Sequence, residues 1–221
     1  TPKPSPIVRD VLSMLLLLTI LPISVSTADL RLATYNLQGY RLFSTNSWPA
    51  KSPIARIAVR DTLASLDADI VALQEMGSAS DLDALATALE AHTAPYPYRA
   101  IGRAPHAPIQ LAFLSRLPFT EPPTWTQPDY LLHGLRTRVS RGFLEINVSA
   151  SSHTFRVINV HLKSALKSRI GDPQEIRRRE IERLYHHIAT DQQPPPGSHL
   201  ILAGDFNAHL DAPALRILQS S

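Results

Sequence analysis

Four short apolar runs in this chain each stop at a polar residue, and this repetition limits the available folds more than any other feature. Residues 30–35 stop at Asn36, residues 69–73 at Gln74-Glu75, residues 155–160 at His161, and residues 200–203 at Gly204-Asp205-Phe206-Asn207. A run of this length closed by glycine reads as a buried strand that has to stop and turn. Turns at strand ends are where α/β proteins carry binding and catalytic groups. Asp and Asn favour turns for local reasons as well, so one such run would say little. Four in succession predict an α/β fold with functional groups at its strand ends. Carboxamide, carboxylate and imidazole are all groups that can hold a hard divalent cation or a phosphate oxygen.

At 221 residues and 44% hydrophobic content the chain can build one good core. Its first 28 residues read differently. Lys3 and Arg9 precede an apolar stretch over 11–21, and Ser26-Thr27-Ala28 follows it, which is the grammar of a signal peptide. Pro22, Ser24 and Ser26 interrupt the stretch before the roughly 20 apolar residues a membrane span needs. Residues 1–28 are therefore expected to be a signal peptide, with an uncleaved anchor as the alternative. Residues 29–221 form the expected domain, exported to a periplasm or to the extracellular space. The chain has no cysteine, which excludes disulfides, thiolate chemistry and Cys-built zinc sites. Without residues 1–28 it keeps 20 basic against 18 acidic residues, too even a balance to demand a polyanionic partner.

Between the runs, a polar loop over 39–52 leads to Pro53 and a helix with Ile54, Ala58, Leu63 and Leu66 at helical spacing. A second helix is expected over 80–91, with Ser80 and Asp83 as capping box and Leu82, Leu85, Ala86 and Leu89 inward. The proline-rich residues 95–128 show one clear strand, 110–115. Residues 143–148 alternate and should pair with 155–161 as a hairpin. A long helix from Pro173 to about Thr190 takes Asp172 as N-cap and Ile181, Leu184, Tyr185 and Ile188 as its apolar face. Arg177 falls near that face, where an acidic partner is expected. Arg178, Arg179 and Arg183 interleave with Glu175, Glu180 and Glu182 as a salt-bridged solvated face. The prolines of 192–197 make a linker, and 212–218 a last helical turn.

Phosphoester hydrolysis needs an activated water, charge stabilisation on the equatorial oxygens and help for the leaving oxygen. Glu75 is the strongest metal-ligand candidate, since Mg²⁺ keeps several waters and needs only one or two carboxylates. Asn36 would share the metal's surroundings or touch a phosphate oxygen. Mn²⁺ would be accepted by the same ligands. Lys163, Lys167 and Arg169 lie just past His161, where a loop could grip phosphate; Arg136, Arg138 and Arg141 could line a basic groove.

In their order, Tyr35-Asn36, Leu73-Gln74-Glu75, Asn159-Val160-His161-Leu162 and Gly204-Asp205-Phe206-Asn207 resemble the endonuclease/exonuclease/phosphatase superfamily, over roughly residue 30 to the end. The resemblance implies a four-layer α/β/β/α sandwich of two mixed sheets. It implies catalytic roles for Asp205, which orients or deprotonates the attacking water, for His161, which donates to the phosphate, and for Asn207, which hydrogen-bonds the phosphate beside it. Asn36, Lys163 and Asn207 would be the phosphate contacts, Glu75 and Asn36 the metal residues. The family pattern closes with a further strand and an Asp-His pair that has no counterpart after Asn207, so the expected sandwich lacks its last strands and the isolated chain is expected to aggregate. The implied activity is that of a Mg²⁺-dependent phosphodiesterase, with nuclease action on DNA or RNA the first expectation. A phosphatase or phospholipase C-type hydrolase of small or lipid phosphoesters is the second, and a non-catalytic binding relative the third. No stable protein partner is implied.

Overall fold

Alternation along the strands sorts side chains into layers. In β2 (Ile70–Met76) Val71 and Leu73 face one way while Ile70 and Ala72 face the other; in β4 (Gln110–Ser115) Ala112 and Leu114 oppose Leu111 and Phe113. The first set meets α1 (Pro53–Leu66) and α2 (Ala79–Glu90) through Leu63, Leu82, Leu85 and Leu89. The second set meets Leu144, Ile146 and Val148 of β8 (Phe143–Ala150) and Val157 of β9 (His153–His161), forming a core between two sheets. On the far face of β9, Ile158 and Val160 meet Ile176, Ile181 and Leu184 of α3 (Pro173–Thr190). Three cores separate four layers, α/β/β/α, as expected.

The computed structural model describes residues 30–45, 48–104, 107–190, 198–209 and 212–219. The expected signal peptide or anchor and the linker 192–197 lie outside the described residues. No helix among the described residues is long and apolar enough to cross a membrane.

Both sheets are mixed. One runs β1 (Leu32–Tyr40), β2, β4, β3 (Tyr98–Ile101); the other runs β10 (Ser198–Asp205), β9, β8, β5 (Thr124–Thr126). Each has a single parallel pair, β1 with β2 and β9 with β10. A separate hairpin, β6 (Asp129–Leu132) with β7 (Leu135–Arg138), stands outside both sheets. A short 3-10 turn (Pro213–Leu215) and α4 (Arg216–Gln219) close the described chain.

Several expectations need correction. β1 does not stop at Asn36 but continues to Tyr40 through an irregularity, where Gln38 and Gly39 take φ of 50° and 75° and Tyr40 is buried. The capping box of α2 is Ser78 with Asp81, two residues before the expected pair. In α1 Val59 and Leu63 face the core, whereas Ile54 is 81% exposed. Short strands β3 and β5 were hidden in proline-rich sequence, and the hairpin β6–β7, which follows it, was not expected. Arg177 donates to the carbonyl of Lys163 at 2.8 Å instead of an acid. The pairing of Arg178 and Arg179 with Glu175 and Glu182 is as expected, but Glu180 leaves that solvated face and is fully buried.

Candidate active site at the strand ends

Parallel pairing brings the polar strand ends together in twos. In one sheet Asn36 stands opposite Gln74, beside Glu75; in the other His161 stands opposite Asp205. The two sheets meet at these ends: the Asn36 amide Nδ2 donates to Asp205 Oδ2 at 2.9 Å and to Glu75 Oε1 at 3.2 Å. One carboxamide thus spans two carboxylates 130 residues apart in sequence. Asn207 completes the turn, its backbone N–H donating to Asp205 Oδ1 at 2.9 Å and its Nδ2 to the carbonyl of Leu162 at 3.0 Å. An open cleft of about 540 Å³ runs past this cluster, lined by Thr34, Asn36, Gln74, Asp205, Asn207 and Leu215 among others.

Unusual backbone conformations gather at the same place. Glu75 has φ of 61° and Asn207 φ of 50°, left-handed values that cost energy for residues with a Cβ. Gly204 has φ of 135°, and a Cβ there would lie 2.0 Å from the carbonyl oxygen of Val160, so only glycine lets β10 approach β9 before turning. The local strain aims the Glu75 and Asp205 carboxylates, with side chains 23% and 31% exposed, toward each other across the sandwich.

His161 is buried, with Nε2 3.7 Å from Asp205 Oδ2 and 3.9 Å from Glu75 Oε1, too long for hydrogen bonds. Its Nδ1 is buried without a partner among the described residues. Burial, followed by the positive charge of Arg141, pulls its pKa down to about 4 against the opposing field of Asp205. The ring is therefore neutral at neutral pH, with one N–H to donate.

Beneath the cluster lies a polar tie between the sheets. Asn159, fully buried, accepts from Gln74 Nε2 at 2.8 Å and donates to the carbonyls of Leu73 at 2.9 Å and Ala112 at 3.0 Å. Gln74 is thus a structural group holding the floor, although it adjoins Glu75. A second support lies behind His161. Glu180 Oε1 accepts from Ser140 N (2.9 Å) and Oγ (2.8 Å), and its Oε2 accepts from Lys163 N (2.7 Å). It clamps the chain just before Arg141 and just past His161. Burial raises the Glu180 pKa, and these hydrogen bonds and the charge of Arg141 oppose that rise.

Of the residues expected in the site, Asn36, Glu75, His161, Asp205 and Asn207 come together. Lys163 does not: its ammonium donates to the carbonyls of Ser164 at 3.0 Å and Leu166 at 2.7 Å, tying down its own loop. Arg136 and Arg138, expected to line a groove, pair with Asp129. Arg141 is the cation that stays near the cluster. Phe143 pairs with Val160, so the residues entering β8 run beside the exit of β9, and the charges of Glu180, Glu75 and Asp205 all act on its guanidinium. The structural parts of Asn159 and Glu180 were missed; a polar residue at an inward position of an apolar run, and a Glu in step with Ile176 and Leu184, were the available signals.

A hard dication fits the donor set. Two carboxylates and one carboxamide converge, and their mutual repulsion is relieved at present by a single amide. Glu75 accepts only that one hydrogen bond among the described residues, leaving lone pairs free. No cluster of three His, Cys, Asp or Glu arranged as a cage occurs among the described residues, and Mg²⁺ does not require one, because it retains water and uses one or two carboxylates.

A four-layer sandwich with Asn, Glu, His, Asp and Asn gathered at the strand ends of its two sheets defines a class of phosphoester hydrolases. The model of the Endonuclease/Exonuclease/phosphatase family matches residues 33–221, and the chain belongs to that family. Comparison with curated proteins by sequence gives no match. Among solved structures, sphingomyelinase C from Streptomyces griseocarneus is similar at 17% identity over 86% of this chain and 68% of that one, with a TM-score of 0.62. Beta toxin from Staphylococcus aureus is similar at 16% identity over 87% and 70%, with a TM-score of 0.62. TDP2 of D. rerio, complexed with a single-strand DNA product, is similar at 20% identity over 85% and 64%, with a TM-score of 0.57. At these identities the likeness is one of fold.

Proposed function

We propose that the protein is a divalent-metal-dependent phosphodiesterase, exported by its N-terminal stretch, whose reaction is in-line attack of water on phosphorus, with the P–O ester bond opposite the water breaking and its oxygen leaving as an alcohol that takes its proton from solvent. The observation that carries this reading is the bridge from Asn36 to both Glu75 and Asp205, which brings two carboxylates from different sheets to one point. Glu75, with Asn36 beside it, would hold the metal, Mg²⁺ or Mn²⁺. A bound dication supplies Lewis-acid polarisation of a phosphoryl oxygen and offsets charge that grows in the transition state.

The chain's own groups supply the rest. Asp205 orients the attacking water and accepts its proton at the oxygen facing the cluster. His161, neutral and desolvated, donates its N–H to a non-bridging phosphoryl oxygen; a neutral donor keeps its proton while charge develops beside it. Asn207 presents its remaining amide N–H to the same phosphate, and its positive φ fixes the direction. The buried Asn159 to Gln74 tie keeps the two sheets in register, so these groups need not reorganise during the reaction.

Nucleic acid remains the first substrate to test, yet Arg136 and Arg138 pair with Asp129 and Lys163 ties down its own loop, which leaves Arg141, Lys167 and Arg169 of the cations expected in a groove. A compact phosphodiester makes fewer demands on such a groove. The test is hydrolysis of bis(p-nitrophenyl) phosphate by the full-length protein with Mg²⁺ or Mn²⁺. Turnover should vanish with EDTA, return with metal and fall steeply in Asp205→Asn. No turnover with either metal would favour the binding-only reading, and turnover unaffected by EDTA would sink the metal-dependent one.

A further inference from the structure

Every large apolar side chain that is more than half exposed among the described residues lies on the segments around the active site. The six are Phe43 and Ile54 (81% each), Leu131 (64%), Leu135 (69%), Leu166 (76%) and Ile170 (53%). Phe43 lies in the connection that leaves the C-terminal end of β1, the strand that carries Asn36, and Ile54 lies in the first turn of α1, which that connection enters. Leu131 and Leu135 flank the tip of the β6–β7 hairpin, whose chain runs on through Arg141 into β8. Leu166 and Ile170 lie in the loop that follows His161. Because β8 is antiparallel to β9, its entrance and the exit of β9 are at one end of the sandwich, and the Asn36–Asp205 bond places the end of β1 there too.

The hairpin makes its exposure hard to explain by packing. Tyr130 and Leu132 are buried on one face, so Leu131 falls on the outward face, where a strand of this kind ordinarily carries a polar residue. The hairpin and the loop after β9 are neighbours, since a Cβ at Gly171 would lie 3.1 Å from Leu132 Cδ2. Charge is uneven in the same sense. Residues 42–45, 48–54, 129–141 and 162–172 hold seven basic residues against two acidic, a net of +5 in a chain whose total is +3. The remainder of the chain is therefore net negative, by two.

We propose that this rim is a membrane-docking surface that sets the active site against an anionic phospholipid bilayer. Apolar side chains on separate short segments, with Lys51, Lys167 and Arg169 among them, suit a fluid interface that accepts several small insertions at once; basic side chains nearby add attraction to anionic headgroups. A flat protein partner would instead be met by one continuous apolar face. The docking rests on exposure and charge alone. Only its consequence, that the phosphodiester of a lipid headgroup is delivered to Glu75 and Asp205, rests on the proposed function.

The experiment is flotation of the full-length protein with vesicles of phosphatidylcholine alone and of phosphatidylcholine with roughly one-third phosphatidylserine. Wild type should float with the anionic vesicles and much less with the neutral ones, and rising salt should weaken it. Leu131→Ser with Leu135→Ser, and separately Leu166→Ser with Ile170→Ser, should each lower the partition about tenfold or more. Leu66→Ser, on an exposed leucine at the far end of α1, should leave it unchanged. Thermal melts of all variants should match wild type, since the replaced side chains are exposed. The proposal is overturned if wild type floats with neither vesicle, if Leu66→Ser behaves like the rim variants, or if wild type is a dimer in gel filtration that the rim substitutions split. Turnover then separates the two readings. Rim variants should lose activity on vesicle phospholipid and keep it on bis(p-nitrophenyl) phosphate. Flotation without any turnover would remove the phosphodiesterase reading and leave the docking surface standing.

Discussion

Two groups of carboxylates at the same end of the sandwich are treated in opposite ways. Glu180 is fully buried and accepts three hydrogen bonds, two from backbone N–H groups and one from a hydroxyl. Glu75 is partly exposed and accepts one from the Asn36 amide, while Asp205 shares that amide and takes one backbone N–H. A carboxylate whose lone pairs are spent on fixed donors holds the fold; one left with free lone pairs at an open cleft can hold a cation or take a proton. The same contrast divides the two asparagines. Asn159 is sealed between the sheets with its amide fully engaged, and Asn36 faces the cleft.

The most severe way to break this contrast is to remove charge on the cleft side. Glu75→Gln and Asp205→Asn should each lower turnover about 10²- to 10³-fold or more, the loss expected for one preorganised electrostatic group. Their melting temperatures should hold near or above wild type, because each substitution relieves like-charge repulsion at the Asn36 bridge. Steady-state kinetics beside a thermal melt decides it. A large drop in stability with activity intact would mean that Glu75 and Asp205 belong with Glu180.

On the sealed side the signs reverse. Asn159→Leu strips a partner from Gln74 Nε2 and leaves the carbonyls of Leu73 and Ala112 without its donor, which should cost about 2–4 kcal/mol at roughly 1–3 kcal/mol for each buried group left unpaired. Asn36→Leu should cost far less stability and far more activity. Gly204→Ala tests the geometry between the two: its Cβ would meet the Val160 carbonyl at 2.0 Å, and with the left-handed φ the penalty should reach about 3 kcal/mol. Denaturant titration of the three variants ranks them directly.

The contrast also marks how much the sequence disclosed. The strand ends were legible because burial forces apolar runs and a site interrupts them, so Asn36, Glu75, His161 and Asp205 stood out where periodicity broke. The four layers came from the resemblance those strand ends carry, since short apolar runs by themselves do not order two sheets. What stayed hidden was set by tertiary contact. Glu180 reads as one member of a charged helix surface until the chain at Ser140 and Lys163 closes over it. Lys163 looked free because its neighbours, Ser164 and Leu166, offer carbonyls that only the loop's turn aims at its ammonium. The strands β3 and β5 carry too few residues to show a period among prolines, and β1 ran past Asn36 because an irregularity at Gln38 and Gly39 lets pairing resume at Tyr40.

The smallest expected effects are in the pH dependence of stability, and they set Glu180 against a third carboxylate. Glu145 takes two hydrogen bonds from Arg156, at 2.7 and 2.9 Å, and one contact from His187 at 3.2 Å. Burial alone would raise its pKa, but these partners outweigh burial and bring it below the ordinary 4.5. A depressed folded-state pKa means that the contribution of Glu145 is complete above 4.5 and is lost as pH falls through the folded value. Glu180 shifts the other way, raised by burial above 4.5, so its ionised form opposes folding and the fold gains stability as pH falls toward 4.5. Denaturant titrations of wild type, Glu145→Gln and Glu180→Gln from neutral to acid pH separate the two. The gap between wild type and Glu145→Gln should narrow once pH drops below 4.5. The gap between wild type and Glu180→Gln should move in favour of wild type on the way down to 4.5. If both gaps move in the same direction, the hydrogen bonds to Glu180 overcome its burial, and the sealed carboxylate is held as firmly ionised as the paired one.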